Sequence, residues 1–149
     1  MRPSDYLRTT TERSAAELPP GFRAAVEEHA ERVGAGSPLA DVRAACVTSS
    51  EPAGGGGLFR RRKRAYDTWL LLGAGVLTVV TDASGRPVVS LYRLSEIEVK
   101  RFDSTLVEDT GLDVIGLPLG ATERSSAFLP LDQREAGSRF EAELRAAVA

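Results

Sequence analysis

Residues 69–102 read WLLLGAGVLTVVTDASGRPVVSLYRLSEIEVKRF, a series of strand-like segments separated by short glycine turns. Aliphatic, β-branched and aromatic residues dominate the segments, and EIEVKRF alternates between apolar and charged side chains, as a half-buried antiparallel strand does. GAG at 73–75 and DASGRP at 82–87 have the glycine and proline content of hairpin turns. With AYDTWLLL as its first segment, this stretch predicts an antiparallel meander of four strands.

The same pattern continues on both sides of the meander, with DVRAACVTSS before it and with LDVIGL and SSAFLPL after it. The prediction is therefore seven antiparallel strands over 42–131. Seven strands of this length cannot remain one flat sheet with an exposed apolar face, so we expect them to curl or fold over into a barrel.

Two helices are predicted, one at each end of the strands. The first covers 18–34, where Pro19 and Pro20 suit the start, Gly34 suits the end, and Phe22 and Val26 begin an apolar face. The second covers 132–148, and its apolar stripe consists of Ala136, Phe140, Leu144, Ala147 and Val148.

Two local features accompany the helices. Asp132, followed three residues later by Glu135, is a variant of the capping-box signal. Residues 1–17 are polar and show no period, so they are expected to form a flexible N-terminal arm before a single domain over 18–149.

This order of elements resembles the pleckstrin-homology-like (PH-like) domain, particularly its small bacterial members, over roughly 42–149. The most similar pieces are residues 69–102 and AFLPLDQREAGSRFEAEL at 127–144. The resemblance implies a mainly β fold with helices (α+β): a seven-stranded antiparallel split barrel capped by the C-terminal helix, with the N-terminal helix outside it. Phe140 stands where eukaryotic members carry a plugging tryptophan. The family is one of binding modules, so the resemblance implies recognition without naming a ligand.

The charge distribution singles out one segment as a candidate anion site. Net charge is −2, but without the consecutive cations Arg60, Arg61, Arg62, Lys63 and Arg64 the remaining 14 cations and 21 acids give −7. In phosphoinositide-binding members of the family, a lysine near the end of strand one precedes a basic-x-Arg element. Arg62–Arg64 fits that element, but ACVTSS supplies no such lysine.

The strength expected of this basic cluster is modest. Five cations near an anionic bilayer contribute at most roughly 5 kcal/mol, which is weak attachment on its own. Three interpretations remain open: a solvated rim of the glycine-rich loop, an anionic lipid or phosphate ligand, or an acidic protein or nucleic-acid partner. The acidic remainder of the chain opposes binding to an anionic bilayer and to nucleic acid, and nucleic acid is the less expected partner.

Residues with catalytic potential are sparse. His29 is the only histidine and Cys46 the only cysteine, and no triad, paired-carboxylate or metal-ligand pattern is evident. We therefore expect no enzyme activity, no cofactor and no metal. Trp69 is expected in the barrel core or, alternatively, on a partner surface.

The sequence favours a non-catalytic module that binds a protein or itself through strand edges and the N-terminal helix. The alternative is peripheral binding of anionic lipid or phosphate through residues 60–64. An enzymatic interpretation comes third, through a cavity in a barrel or helix-grip fold that binds a small apolar ligand beneath the terminal helix, and Phe140 would oppose it by filling the space. Residues 1–17 lack a signal-peptide pattern. An arginine-rich, lysine-poor composition suggests a bacterial protein. We therefore expect a cytoplasmic location, with peripheral attachment to the membrane as the alternative.

Overall fold

The computed structural model describes residues 2–54, 64–82 and 84–149, and this part of the chain is mainly β with two α-helices. The fold class is therefore α+β, as predicted. The helices are α1 (Pro20–Val33) and α2 (Glu135–Val148). The strands are β1 (Tyr6–Arg13), β2 (Val42–Pro52), β3 (Tyr66–Gly73), β4 (Val76–Thr81), β5 (Val88–Arg93), β6 (Ile97–Arg101), β7 (Gly111–Gly116) and β8 (Ser125–Pro130).

The strands form two antiparallel sheets, one with the order β1-β2-β3-β4-β5 and one with the order β6-β7-β8. The seven predicted strands correspond to β2–β8. No strand pairing joins the two sheets in the described part of the chain, so the backbone ladders do not close a barrel there.

The eighth strand, β1, corrects the expectation of a flexible arm over residues 1–17. All eight of its residues pair with β2, in a register that runs from Tyr6 opposite Pro52 to Arg13 opposite Ala45. The arm was predicted because it lacks apolar alternation. In the structure the strand is held by backbone pairing and polar side chains, for which apolar periodicity gives no signal.

One apolar cluster fills the space between the two sheets and beneath α2. Phe140 and Leu144 of α2 are buried there, as the stripe in the sequence predicted, whereas Ala147 is exposed. The cluster also contains buried residues of both sheets, among them Cys46, Leu70, Leu77, Tyr92, Leu112, Val114 and Leu129.

A second apolar cluster lies on the opposite face of the five-stranded sheet, beneath α1. Trp69, 5% exposed, belongs to this cluster together with Val47 and Val80 of the sheet and Val26 of α1. Trp69 is therefore neither in the core between the sheets nor on an open surface. It alternates with Leu70, which faces the other cluster, and α1 covers its side of the sheet.

The start of α2 departs from the predicted capping box. The helix begins at Glu135, and its N-cap residue Arg134 makes no side-chain cap bond. The Asp132 carboxylate instead accepts from the Arg134 amide at 3.0 Å and from the Thr10 amide of β1 at 2.7 Å. Asp132 therefore connects β1 to the chain entering α2.

Gly137 allows the first turn of α2 to fold tightly over Asp132. A Cβ atom at residue 137 would overlap the Asp132 carbonyl oxygen and lie 2.5 Å from its carboxylate. We expect Gly137→Ala to destabilise the fold by about 1–3 kcal/mol, although alanine is the better helix former. Denaturant titration checks this. Gly21→Ala in α1 is the matched control, because nothing lies within 4 Å of that position, and a similar loss there would contradict the overlap argument.

Candidate binding surface

The site begins with Arg8 on β1, which joins the two sheets at one end of the molecule. Its Nη2 donates to Asp109 Oδ2 at 2.8 Å and its Nε to Asp109 Oδ1 at 3.2 Å. Its Nη1 donates to Ser50 Oγ at 2.6 Å and to the Tyr66 hydroxyl at 2.8 Å. Arg8 therefore links β1 to β2, to β3 and to the segment before β7.

Aromatic rings enclose the same guanidinium. Its Cζ lies 4.7 Å from the ring centroid of Tyr6, 5.8 Å from that of Tyr66 and 5.4 Å from that of Phe128. Tyr6 and Tyr66 also meet edge to face at 5.2 Å. The ring faces attract the cation and shield it from water.

The positive charge of Arg8 is balanced inside the protein by the carboxylate of Asp109. Only 6% of its side chain and 13% of that of Asp109 are exposed. Burial alone would lower the pKa of Arg8, but the hydrogen bonds to Asp109 and Tyr66 outweigh it, so the pKa of the guanidinium is raised. Because its donors already bind inside the protein, Arg8 positions β1 and is not available to an external anion.

Thr10 forms the second connection between β1 and the rest of the fold. Its hydroxyl donates or accepts at 2.8 Å with Thr48 and accepts from the Asp132 amide at 2.9 Å, while its own amide donates to Asp132. That amide points away from β2, into what would be the free edge of the sheet. Asp132 therefore covers the middle of this edge.

β1 differs from the other strands because it contributes no side chain to either apolar cluster. Neither cluster contains a residue of 6–13. Within β1 only Thr10 is buried, and Leu7 on the opposite face is 65% exposed. β1 is an added strand on the edge of β2, and it is held there by backbone pairing, by the polar contacts of Arg8 and Thr10, and by the ring contact of Tyr6 with Tyr66.

The basic cluster predicted as an anion site is only partly described. Arg60, Arg61, Arg62 and Lys63 lie outside the described residues. Arg64 is exposed just before β3, and its guanidinium Nη1 would lie 2.7 Å from a Cβ placed on Gly85. Arg64 therefore lies against the turn between β4 and β5, which also carries the exposed Arg86.

A cleft of about 90 Å³ opens between α2 and the start of β2. Its lining carries both signs of charge, with Arg43 and Glu143 on the rim and Cys46 and Phe140 among the lining residues. Small-molecule sites usually enclose about 300 Å³ or more, so this cleft has room for a few water molecules.

The lone cysteine and the lone histidine both lie away from the Arg8 site. Burial, with smaller effects from the charges of Asp132 and Glu12, raises the pKa of the Cys46 thiol and keeps it protonated. His29 lies on α1, with its Nδ1 3.0 Å from a guanidinium nitrogen of Arg32. Neither group is placed to act on a bound molecule at the Arg8 site.

His29 predicts a small pH dependence of stability. Partial burial, and then the Arg32 charge, lower the pKa of the imidazole below its ordinary 6.5. Between the two pKa values the unfolded chain binds more protons at His29 than the folded protein does. The stability contribution is therefore complete above pH 6.5, declines as the pH falls towards the lowered pKa, and is constant below it.

Comparison with His29→Gln checks this sign. The free energy of unfolding of the native protein should fall relative to that of the variant between about pH 7 and pH 5. A difference that stays constant across this range would contradict the assigned direction.

Comparison with protein families, curated proteins and solved structures finds no match to this chain. Within 2–54, 64–82 and 84–149, no three His, Cys, Asp or Glu side chains are grouped closely enough to hold a metal ion. None of the described helices is both long and apolar enough to cross a bilayer. The candidate binding surface is therefore assigned from the contacts of β1 within this structure alone.

Sequence analysis did not find Arg8, Thr10 or Asp109, and it assigned Asp132 to a helix cap instead of to Thr10. Arg8 and Asp109 are separated by 101 positions, and Thr10 and Asp132 by 122, so no local spacing relates them. The one signal present was β propensity, since Tyr6 and the threonines at 9–11 favour a strand.

Proposed function

We propose that this chain is a non-catalytic binding module that acts by protein–protein contact, with self-association as the first form of that contact. The observation that carries the proposal is the docking of β1. This strand pairs along its whole length with residues 45–52 of β2, yet both apolar clusters are built without it.

An edge occupied in this way has the properties of a strand-acceptor site. Addition of an extended segment to a sheet edge derives affinity from main-chain hydrogen bonds and specificity from side-chain pockets. β2 offers the main-chain groups, and Asp109 and Asp132 offer the side-chain recognition of Arg8 and Thr10. The edge therefore accepts an extended segment with a defined sequence.

The finer fold assignment, a PH-like split barrel, is part of the same proposal. It is supported by the meander β2–β5, the second sheet β6–β8, and the burial of Phe140 beneath α2. In this account β1 and α1 are additions at the edge and on the outer face of the split barrel.

Sedimentation velocity over a concentration series tests the self-association. We expect a reversible increase in mass with concentration that changes little as salt is raised from about 0.05 M to about 0.5 M, because strand pairing is not a long-range charge interaction. A single monomeric species at every concentration that remains in solution would contradict self-association. Association that disappears with salt would favour a charge-driven contact instead.

The second candidate function is peripheral binding to an anionic surface through Arg60–Arg64. The specific observation in its favour is the position of Arg64 beside the β4–β5 turn, where the exposed Arg86 adds a further cation. Cations from two adjacent connections at one end of the sheet would act together on one anionic surface.

Co-sedimentation with vesicles tests this second candidate. We expect the native chain to pellet with phosphoinositide-bearing or phosphatidylserine vesicles at about 0.15 M salt, and a variant with Arg60–Arg64 neutralised to remain in solution. The matched control neutralises five other exposed cations: Arg32, Arg93, Lys100, Arg124 and Arg134. Equal loss in both variants would show a response to net charge alone, and no pelleting of the native chain would end this candidate.

A further inference from the structure

We infer that the occupant of the β2 edge in the associated state is β1 of a second copy, so that two chains exchange their N-terminal strands. This inference rests on the proposed self-association and specifies its interface. It predicts a dimer in which each β1 pairs with the β2 of the other chain.

The contacts of the N-terminal segment make such an exchange nearly neutral in energy. The Arg2 amide donates to the Leu106 carbonyl at 3.1 Å, and its own carbonyl accepts from the Glu108 amide at 2.7 Å. Together with the contacts of Arg8 and Thr10, these bonds reach residues far along the chain. A second copy offers every one of those partners, so the exchanged and the unexchanged states have the same contacts except at the hinge.

The polar contacts also select this strand over an unrelated one. A foreign strand without an arginine at the position of Arg8 would leave the carboxylate of Asp109, 13% exposed, without its cation and with the Thr110 amide as its remaining donor. A strand without a hydroxyl at the position of Thr10 would leave the Asp132 amide without its acceptor. Unpaired buried groups carry a large free-energy penalty, so the second copy of β1 is the best-fitting occupant.

The hinge between β1 and the body of the protein is short. Only Ser14 separates β1 from a single 3₁₀ turn at Ala15–Glu17, and Ser14 is already extended, with φ −101° and ψ 161°. The first residues of the hinge are held by exposed bonds, from the Ser14 amide to Glu17 at 3.1 Å and from Arg13 to Glu17 at 3.4 Å, whereas the Ala15 carbonyl accepts from Arg23 and the Ala15 side chain packs against the cluster beneath α1. Exposed bonds of this kind contribute little, and short hinge segments favour strand exchange.

Beyond the turn, the chain is anchored again. Leu18, 3% exposed, belongs to the apolar cluster beneath α1. With Ala15 also packed against this cluster, opening stops at Ala15, and the exchanging unit is the segment that ends at Ser14.

A disulfide between chains tests the exchange directly. Thr9 and Ser49 are directly paired across β1 and β2, and facing positions of this kind lie within the Cα separation that a disulfide requires. Thr9→Cys and Ser49→Cys are made as separate variants, mixed, unfolded and refolded together under reducing conditions, and oxidised mildly only once they are folded. Cys46 stays in place, since it is buried and protonated, and the native chain treated alike shows its background.

The expected result is a disulfide-linked heterodimer of the two variants that native mass spectrometry finds at twice the chain mass. Thr9→Cys mixed with Val88→Cys is the control for chance collision, because Val88 is 51% exposed on the opposite edge strand. The double variant Thr9→Cys/Ser49→Cys confirms the geometry by closing a disulfide within one chain.

The outcomes separate this inference from the proposed function. Closure in the double variant without any heterodimer in the mixture overturns the exchange. If the native chain then still sediments as a reversible dimer, the self-association stands but uses another interface. If the native chain stays monomeric, the strand exchange and the proposed self-association both fail. A double variant that forms neither a disulfide within the chain nor one between chains at these positions contradicts the register of β1 and β2, and the exchange with it.

Discussion

Replacement of Arg8 by alanine is expected to lower the free energy of unfolding by about 3–5 kcal/mol. The variant would leave the Asp109 carboxylate buried without its cation, and would also remove the donor to Ser50 and Tyr66. Breaking one side of a buried pair is costlier than removing both sides, because the remaining charge keeps its desolvation penalty. The expected size is a large fraction of the stability of an ordinary domain.

Denaturant titration of three variants measures this effect. Arg8→Ala/Asp109→Ala should be no less stable than Arg8→Ala, since the double variant leaves no unpaired charge. The control is Arg139→Ala, whose ion pairs with Glu12 and Glu135 at 2.8 and 2.6 Å are largely exposed and should contribute less than about 1 kcal/mol. Equal, small losses for Arg8→Ala and Arg139→Ala would show that the Arg8 site does not stabilise the fold.

Phe140→Ala is expected to have a comparable effect, about 3–5 kcal/mol, by a different mechanism. The ring is 3% exposed and packs between the two sheets beneath α2. Removing it loses the transfer free energy of the ring and leaves a cavity that the sheets can only partly fill. The measurement is again the free energy of unfolding from denaturant titration.

Two controls relate the loss to the position of the ring. Phe140→Leu keeps an apolar side chain in the same place and should cost well under half as much. Val148→Ala, at the half-buried end of α2, should cost about 1 kcal/mol or less. If Phe140→Ala cost no more than Val148→Ala, α2 would not be a structural cover of the space between the sheets.

Apolar periodicity predicted most of the fold. Alternation along EIEVKRF placed Ile97 in the core and Glu98 and Lys100 outside, as the structure has them. The helical stripe placed Phe140 and Leu144 beneath α2 in the same way. Both signals work because the buried side chains are apolar and the spacing repeats within one element.

The side on which a central strand packs could not be predicted. β3 is buried on both faces, so Trp69 and Leu70 have the same apolar environment in the sequence. Their separation depends on which face α1 covers, and that is a property of the tertiary fold. The first interpretation placed Trp69 in the barrel core, whereas Trp69 is buried in the cluster beneath α1.

Polar burial accounts for the missed strand and the missed site. Thr10 of β1 and Asp132 are buried, and their hydrogen bonds to each other compensate the burial of their polar groups. Because polar residues are mostly exposed in proteins, a sequence pattern predicts both at the surface. The Asp132–Glu135 spacing then suggested a capping box, because the competing partner lies 122 positions away. Of the residues that sequence analysis did weigh as a site, Arg60–Arg64, only Arg64 belongs to the described part of the chain, where it lies against the turn that carries Gly85.

The central claim is that β1 is a separable strand on a core that is complete without it. Native-state hydrogen exchange tests it most directly, by comparing the amides of Leu7, Thr9 and Thr11 with that of Leu70 at the centre of the five-stranded sheet. The account predicts that the β1 amides exchange through a local opening that needs less free energy than the global unfolding that exposes Leu70. The same opening free energy for β1 and for Leu70 would contradict the claim, because β1 would then be part of the core's single cooperative unit.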